Sequence, residues 1–270
     1  MPHYLMARPR SGRKALAELV LLVVFFLAFE TFGVIAFDLM DPGSAQGAET
    51  THAAGLYDTA VIAMALPAAF FAARATGRDP VGLISVEHRV RWPLVGRALA
   101  VAAPVYALVI AIDATDGGLT FSGPTLAVAA AYLLVVPVQA ACEEAVFRAA
   151  LPQIVGNWVR SPWLAYGLAA IPFVALHAYN WVGMTDVLVI CLCLSYLTWR
   201  SAGIEQSVVV HACSNLSVFI PQALRPDAVA STEVSWLGGL VTALITVAVT
   251  AGVAAGSKAG VAKQKLPSRP

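Results

Sequence analysis

The chain has 270 residues, 59% of them hydrophobic and only 12% charged, and its net charge is +1. An ordinary soluble domain carries roughly 25% charged residues, so this composition excludes a soluble globular protein. The near balance of charge gives no reason to expect a nucleic-acid partner.

Eight apolar runs follow one another, each near the length of helix that crosses a hydrocarbon core. They span approximately Ala15–Phe37, Leu56–Ala73, Val95–Ile112, Thr125 to Arg148 and beyond, Trp163–Tyr179, Thr185–Trp199, Gly203–Ile220 and Trp236–Ala255. Turn chemistry separates them, as in DPGSAQG (Asp41–Gly47), DATDGG (Asp113–Gly118) and RSP (Arg160–Pro162). The first run is longer than the apolar part of a signal peptide and lacks a clear cleavage site, so it reads as a retained helix.

With the N-terminus inside, the inner segments collect Arg8, Arg10, Arg13 and Lys14; Arg74, Arg78, Arg89, Arg91 and Arg97; Arg148, Arg160 and Arg200; and Lys258, Lys263, Lys265 and Arg269. Only Arg225 of the seventeen basic residues falls outside. By the positive-inside rule the expectation is an all-α, polytopic membrane helical bundle of about eight transmembrane helices with both termini cytoplasmic. Residues 1–270 read as a single integral membrane domain, expected in a bacterial plasma membrane. The four cysteines, Cys142, Cys191, Cys193 and Cys213, form no C-x-x-C pair and suggest neither a disulfide framework nor a zinc knuckle.

Ionisable residues inside such runs are costly and mark functional sites by default. They are Glu30 in the first run, Glu143, Glu144 and Arg148 in the fourth, His177 in the fifth, and His211 with Asn215 in the seventh. Glu30 stands alone beside Thr31 and reads as an interhelical hydrogen-bonding residue. Glu144 and Arg148 are four apart and suit an ion pair, while Glu143 points about 100° away and is free to face a cavity. FVALH places Phe173 one turn below His177, and HACSN places His211 and Asn215 on one face. Two histidines, a carboxylate and an amide on three helices comprise a general base, ligands for a metal or water, and an oxyanion donor. Helix rise puts His177, His211 and Glu143 roughly 21, 12 and 25 Å from the inner edge, the last shortened by a break at Pro152.

EEAVFR fits E-E-x-x-x-R, FVALH fits F-x-x-x-H and HACSN fits H-x-x-x-N, in that order. With these motifs the chain resembles the CPBP family of intramembrane endopeptidases, also called Abi, whose eukaryotic relatives are the type II CAAX prenyl endopeptidases. The resemblance covers residues 126–220, the motif-bearing catalytic core. It implies that Glu143 activates the attacking water, that His177, His211 and Asn215 complete the site, and that Glu144, Arg148 and Phe173 support it. Glu143, His177 and His211 would also make a three-ligand set for one divalent metal such as zinc, with an open position. A metal-free glutamate mechanism stays open beside it. The implied partners are a membrane-anchored or lipidated peptide and the lipid bilayer.

Other intramembrane chemistries lack their signatures. There is no H-E-x-x-H and no G-x-G-D, and the nearest approach to G-x-S-G is TFSG at Thr120–Gly123 in an outer loop. The alternatives to a protease are a catalytically silent scaffold or bacteriocin-immunity-type protein of the same family, and a proton- or metal-coupled transporter using Glu143, His177 and His211.

Overall fold

The computed structural model describes residues 2–7, 10–40, 54–225 and 231–256. Among them, regular structure is entirely helical. The passes are α1 (Gly12–Met40), the pair α2 (Ala54–Met64) and α3 (Pro67–Ala75), α4 (Trp92–Asp113), and α5 (Gly123–Glu144), which runs on through a π-helical segment (Ala145–Ala150) into α6 (Leu151–Val155). There follow α7 (Pro162–Ala175), α8 (Trp181–Ser201), α9 (Glu205–Ala223) and α10 (Trp236–Gly256). That makes eight helical passes, as the apolar runs predict.

Six passes are long and apolar enough to cross a membrane. The other two differ for different reasons. α7 has only 14 residues. α9 is long enough at 19, but Glu205, Gln206, His211 and Asn215 lower its hydropathy.

The packing is the reverse of a soluble protein. Large side chains such as Leu27, Phe32, Leu108, Leu134, Ile171 and Leu244 are exposed on the outside of the bundle. Small and polar residues, among them Ala68, Ala69, Ala72, Ala73, Ser207 and Thr246, fill the contacts between helices, as expected where lipid supplies the apolar surroundings. Trp92 and Trp163 begin α4 and α7, and Trp181 and Trp236 begin α8 and α10 at the opposite end; all four are exposed. This is where amphipathic rings settle at the two interfaces.

Contacts between helix ends sort the basic residues as the sequence predicts. Arg10 and Arg78 both pair with Glu18, and Arg78 also bonds Gln153. Arg91 makes two 2.7 Å bonds to Glu205 and one to the Ser201 carbonyl, and Arg200 donates to the Ala254 carbonyl. At the other end Arg225 pairs with Asp113 at 2.6 Å. Arg8, Lys258, Lys263, Lys265, Arg269 and the turn Asp41–Gly47 lie outside the described residues. Arg148 departs from the expectation, because it is wholly buried within a span rather than in an inner segment.

α9 occupies the middle of the bundle, packed against α4, α5 and α8 and touching α10. Its entry is fixed by a tight turn. Ala202 takes a left-handed conformation at φ 58°, and a Cβ on Gly203 would lie 2.2 Å from the Arg91 guanidinium and 2.8 Å from the Ile84 carbonyl. Only glycine fits there.

Candidate active site

α5 and α9 run antiparallel, and their facing residues form successive rungs. Nearest the outer side Tyr132 stacks on Phe219, with ring centroids 4.9 Å apart and planes at 1°. One level further in, Asn215 Nδ2 donates to Gln139 Oε1 at 3.1 Å. The next rung holds the carboxylates: Glu143 Oε2 lies 3.3 Å from His211 Nε2, and Glu144 Oε1 lies 2.8 Å from His211 Nδ1. Glu144 Oε1 is also 3.1 Å from Arg148 Nη1, the i,i+4 pair read from the sequence. All four charged residues of this chain of contacts are buried.

The divergence of the two glutamates around the helix is thus used differently from the expectation. The imidazole of His211 reaches both carboxylates, one through each nitrogen, so Glu143 is not isolated from the Glu144–Arg148 pair. Nδ1 is hydrogen-bonded to Glu144 at 2.8 Å, while Nε2 lies 3.3 Å from Glu143. Arg148 thereby offsets Glu144, and the imidazole bridges the two carboxylates, so that neither stands alone within the span.

The π segment has a local cause. Pro152 has no N–H to return to the carbonyl of Arg148, and its ring would crowd that carbonyl in a regular helix. Widening Ala145–Ala150 relieves the clash without breaking the pass. The sequence reading placed a break at Pro152; the helix instead continues to Val155. All six residues of the widened turn are buried, and Arg148 is among them.

Phe173 gathers the remaining groups. The Arg148 guanidinium sits 3.9 Å over its ring. Its centroid is 4.9 Å from that of His177 and 6.3 Å from that of His211, the latter edge-on at 78°. His177 itself is not within the fifth helix as expected, since α7 ends at Ala175. Its Nδ1 bonds the Phe173 carbonyl at 2.8 Å, capping an oxygen that the helix end would leave unpaired. The chain turns because Asn180 then caps α8 by accepting from the Gly183 amide at 3.0 Å. With Nδ1 donating, Nε2 of His177 is left as a free acceptor.

Two polar residues were not assigned to the site from the sequence, although Gln139 stands out as the only strongly polar side chain in the apolar run before Ala141. Gln139 is buried one turn before Glu143 on the same face; its i,i+4 spacing was the available signal. Asp186 stands in α8 with Oδ1 buried and without a hydrogen-bond partner in the structure. It belongs to the sixth apolar run, where a lone acid near a helix start was passed over.

The proposed metal set can be weighed from its donors. Glu143 Oε2 and His211 Nε2 are 3.3 Å apart, a spacing that two ligands of one ion can adopt. Zinc sites use at least three protein donors, and among the described residues no group of three or more His, Cys, Asp or Glu is gathered to hold a metal. The arrangement therefore does not fit zinc, and the chemistry is derived from the chain's own residues.

No curated protein and no solved structure matches the chain. The family model described as type II CAAX prenyl endopeptidase Rce1-like matches residues 124–217. That segment starts at the beginning of α5 and ends within α9, and so holds Glu143, Glu144, Arg148, Phe173, His177, His211 and Asn215. It agrees with the core marked by EEAVFR, FVALH and HACSN, so residues 124–217 of this polytopic membrane chain are similar to the type II CAAX prenyl endopeptidase Rce1-like family.

Proposed function

We propose that the chain is an intramembrane endopeptidase that hydrolyses a peptide bond of a membrane-anchored or lipidated substrate, using a water activated by Glu143. The observation that carries this reading is the buried sequence of contacts Arg148, Glu144, His211, Glu143. It fixes the His211 imidazole between the two carboxylates. Four ionisable groups are costly to keep buried in a membrane span, and this supports the protease over the silent reading.

Glu143 takes a proton from the water as its oxygen attacks the carbonyl carbon. The free Nε2 of His177 accepts the second hydrogen of that water and aims it. Negative charge develops on the carbonyl oxygen, where the second amide hydrogen of Asn215 is the available donor. Gln139 fixes the Asn215 amide by accepting its first hydrogen. The C–N bond then breaks, and the proton held by Glu143 passes to the leaving amine. Arg148 and Glu144 do not touch the substrate; Glu144 orients His211 through Nδ1, and Arg148 holds Glu144.

The test is Glu143→Gln assayed on prenylated peptides and by membrane proteomics for uncleaved substrates. Cleavage should fall by about 10² to 10⁴, the range for loss of a general base, while the variant elutes and melts like the parent. Normal cleavage by Glu143→Gln would remove the proposal.

A further inference from the structure

Glu30 takes part in none of the contacts above, yet its place in α1 is not arbitrary. Ala15, Glu18, Leu22 and Gly33 are the buried residues of this helix, and Glu30 falls on the same stripe at helical spacing, half-buried. Its depth can be read from the inner end. Arg78 bonds both Glu18 and Gln153, which sets those two residues at one level. Glu30 lies twelve residues beyond Glu18 and Glu143 ten before Gln153, or about 18 and 15 Å along antiparallel helices. Between these levels Leu22, Phe25 and Phe26 pack in the cluster that contains Val146, Phe147, Ala149 and Ala150. The register thus carries Glu30 to the level of Cys142 and Glu143, and it is within electrostatic reach of both.

α1 leans on α2, α3 and α6 and forms no extended seam with α5. Glu30 and Glu143 accordingly sit at one level on helices that do not pack along each other. Arg148 pairs with Glu144, and His211 contacts both Glu144 and Glu143, whereas Glu30 has no ion pair or hydrogen bond with any described residue. A lone carboxylate within a bilayer is costly until a cation meets it.

We propose that Glu30 is a specificity-determining residue that receives a basic group of the substrate, a lysine, arginine or amine close to the scissile bond, between α1 and α5. This rests on the peptidase reading above. A cationic side chain entering there meets the unpaired carboxylate of Glu30, whereas an acidic one adds to the repulsion from Glu30 and Glu143.

The experiment compares kcat/KM for prenylated peptides that differ at one residue, Lys, Met or Glu, moved in turn through three positions on either side of the cleaved bond. At one position the parent should favour Lys over Met by about ten- to a hundredfold, the range for one charge pair at intermediate dielectric. Glu30→Gln should collapse that ratio, and Glu30→Lys should invert it toward the Glu peptide. A parent that treats the three peptides alike at every position overturns the proposal, as does a Glu30→Gln variant that keeps the Lys preference. A folded variant that cleaves nothing also overturns it, because Glu30 would then act in the chemistry itself. Should the parent cleave no peptide, or Glu143→Gln cleave as well as the parent, the peptidase reading fails and takes this proposal with it.

Discussion

Replacing Glu144 by glutamine keeps its size and removes one charge from the centre of the site. Glu144 and Arg148 are both fully buried, with 3.1 Å between Oε1 and Nη1. At that separation an effective dielectric near 20 gives an attraction of about 5 kcal/mol. Removing one partner of a buried pair costs about 3 to 5 kcal/mol, because the other charge is left uncompensated. The apparent Tm in detergent should therefore drop on the order of 10 °C. Combining Glu144→Gln with Arg148→Met should recover part of this loss, since a methionine can pack its sulfur against Phe173 where the guanidinium now lies. Cleavage should not recover with stability. Glu144 also holds Nδ1 of His211 at 2.8 Å, and a neutral amide is a weaker acceptor for that contact. Thermal unfolding and peptide cleavage measured on the same preparations separate the two effects. The reasoning is refuted if Glu144→Gln melts with the parent, or if the double variant regains both stability and full activity.

Three further outcomes are expected. His3 is buried against the Gly82 and Leu83 carbonyls, and burial, aided by Arg91 and Arg78, lowers its pKa from 6.5 to about 4. The folded state thus favours neutral His3, so its contribution is complete above pH 6.5 and declines as pH falls toward 4, by about 3 kcal/mol in all; a Tm–pH series should show this slope and His3→Gln should flatten it. Because the donors do not make up a zinc set, strong chelators should leave cleavage intact and elemental analysis should find well under one metal per chain, whereas chelator-sensitive activity restored by zinc would contradict the metal-free chemistry. Reporter fusions near Asp79 should read cytoplasm and those near Gly117 the opposite side; the reverse result at Asp79 would overturn the orientation.

The sequence exposed the passes because hydropathy alone marks a span, and it exposed the Glu144–Arg148 pair because i,i+4 geometry is local. The end of α7 was hidden, since His177 continues an apolar run and only Asn180, acting as a cap on the next helix, shows where the chain turns. The π segment was hidden for a related reason: Pro152 signals trouble for a helix but does not say whether the answer is a break or a widened turn. The contact of His211 with both glutamates was beyond any single-helix argument. It depends on how α9 crosses α5, which is set by tertiary packing from Tyr132–Phe219 inward.

The low hydropathy of α9 has a bearing on how the molecule is made. A helix carrying Glu205, Gln206, His211 and Asn215 gains too little from lipid to enter a bilayer by itself, and its neighbours α4 and α5 precede it in the chain. They are already available when it emerges, and Glu143 with Glu144 offers His211 its partners, as Arg91 does Glu205. Insertion of this helix and completion of the charge relay are therefore a single event. A half-made chain carries the two glutamates without the histidine that lies between them in the finished fold.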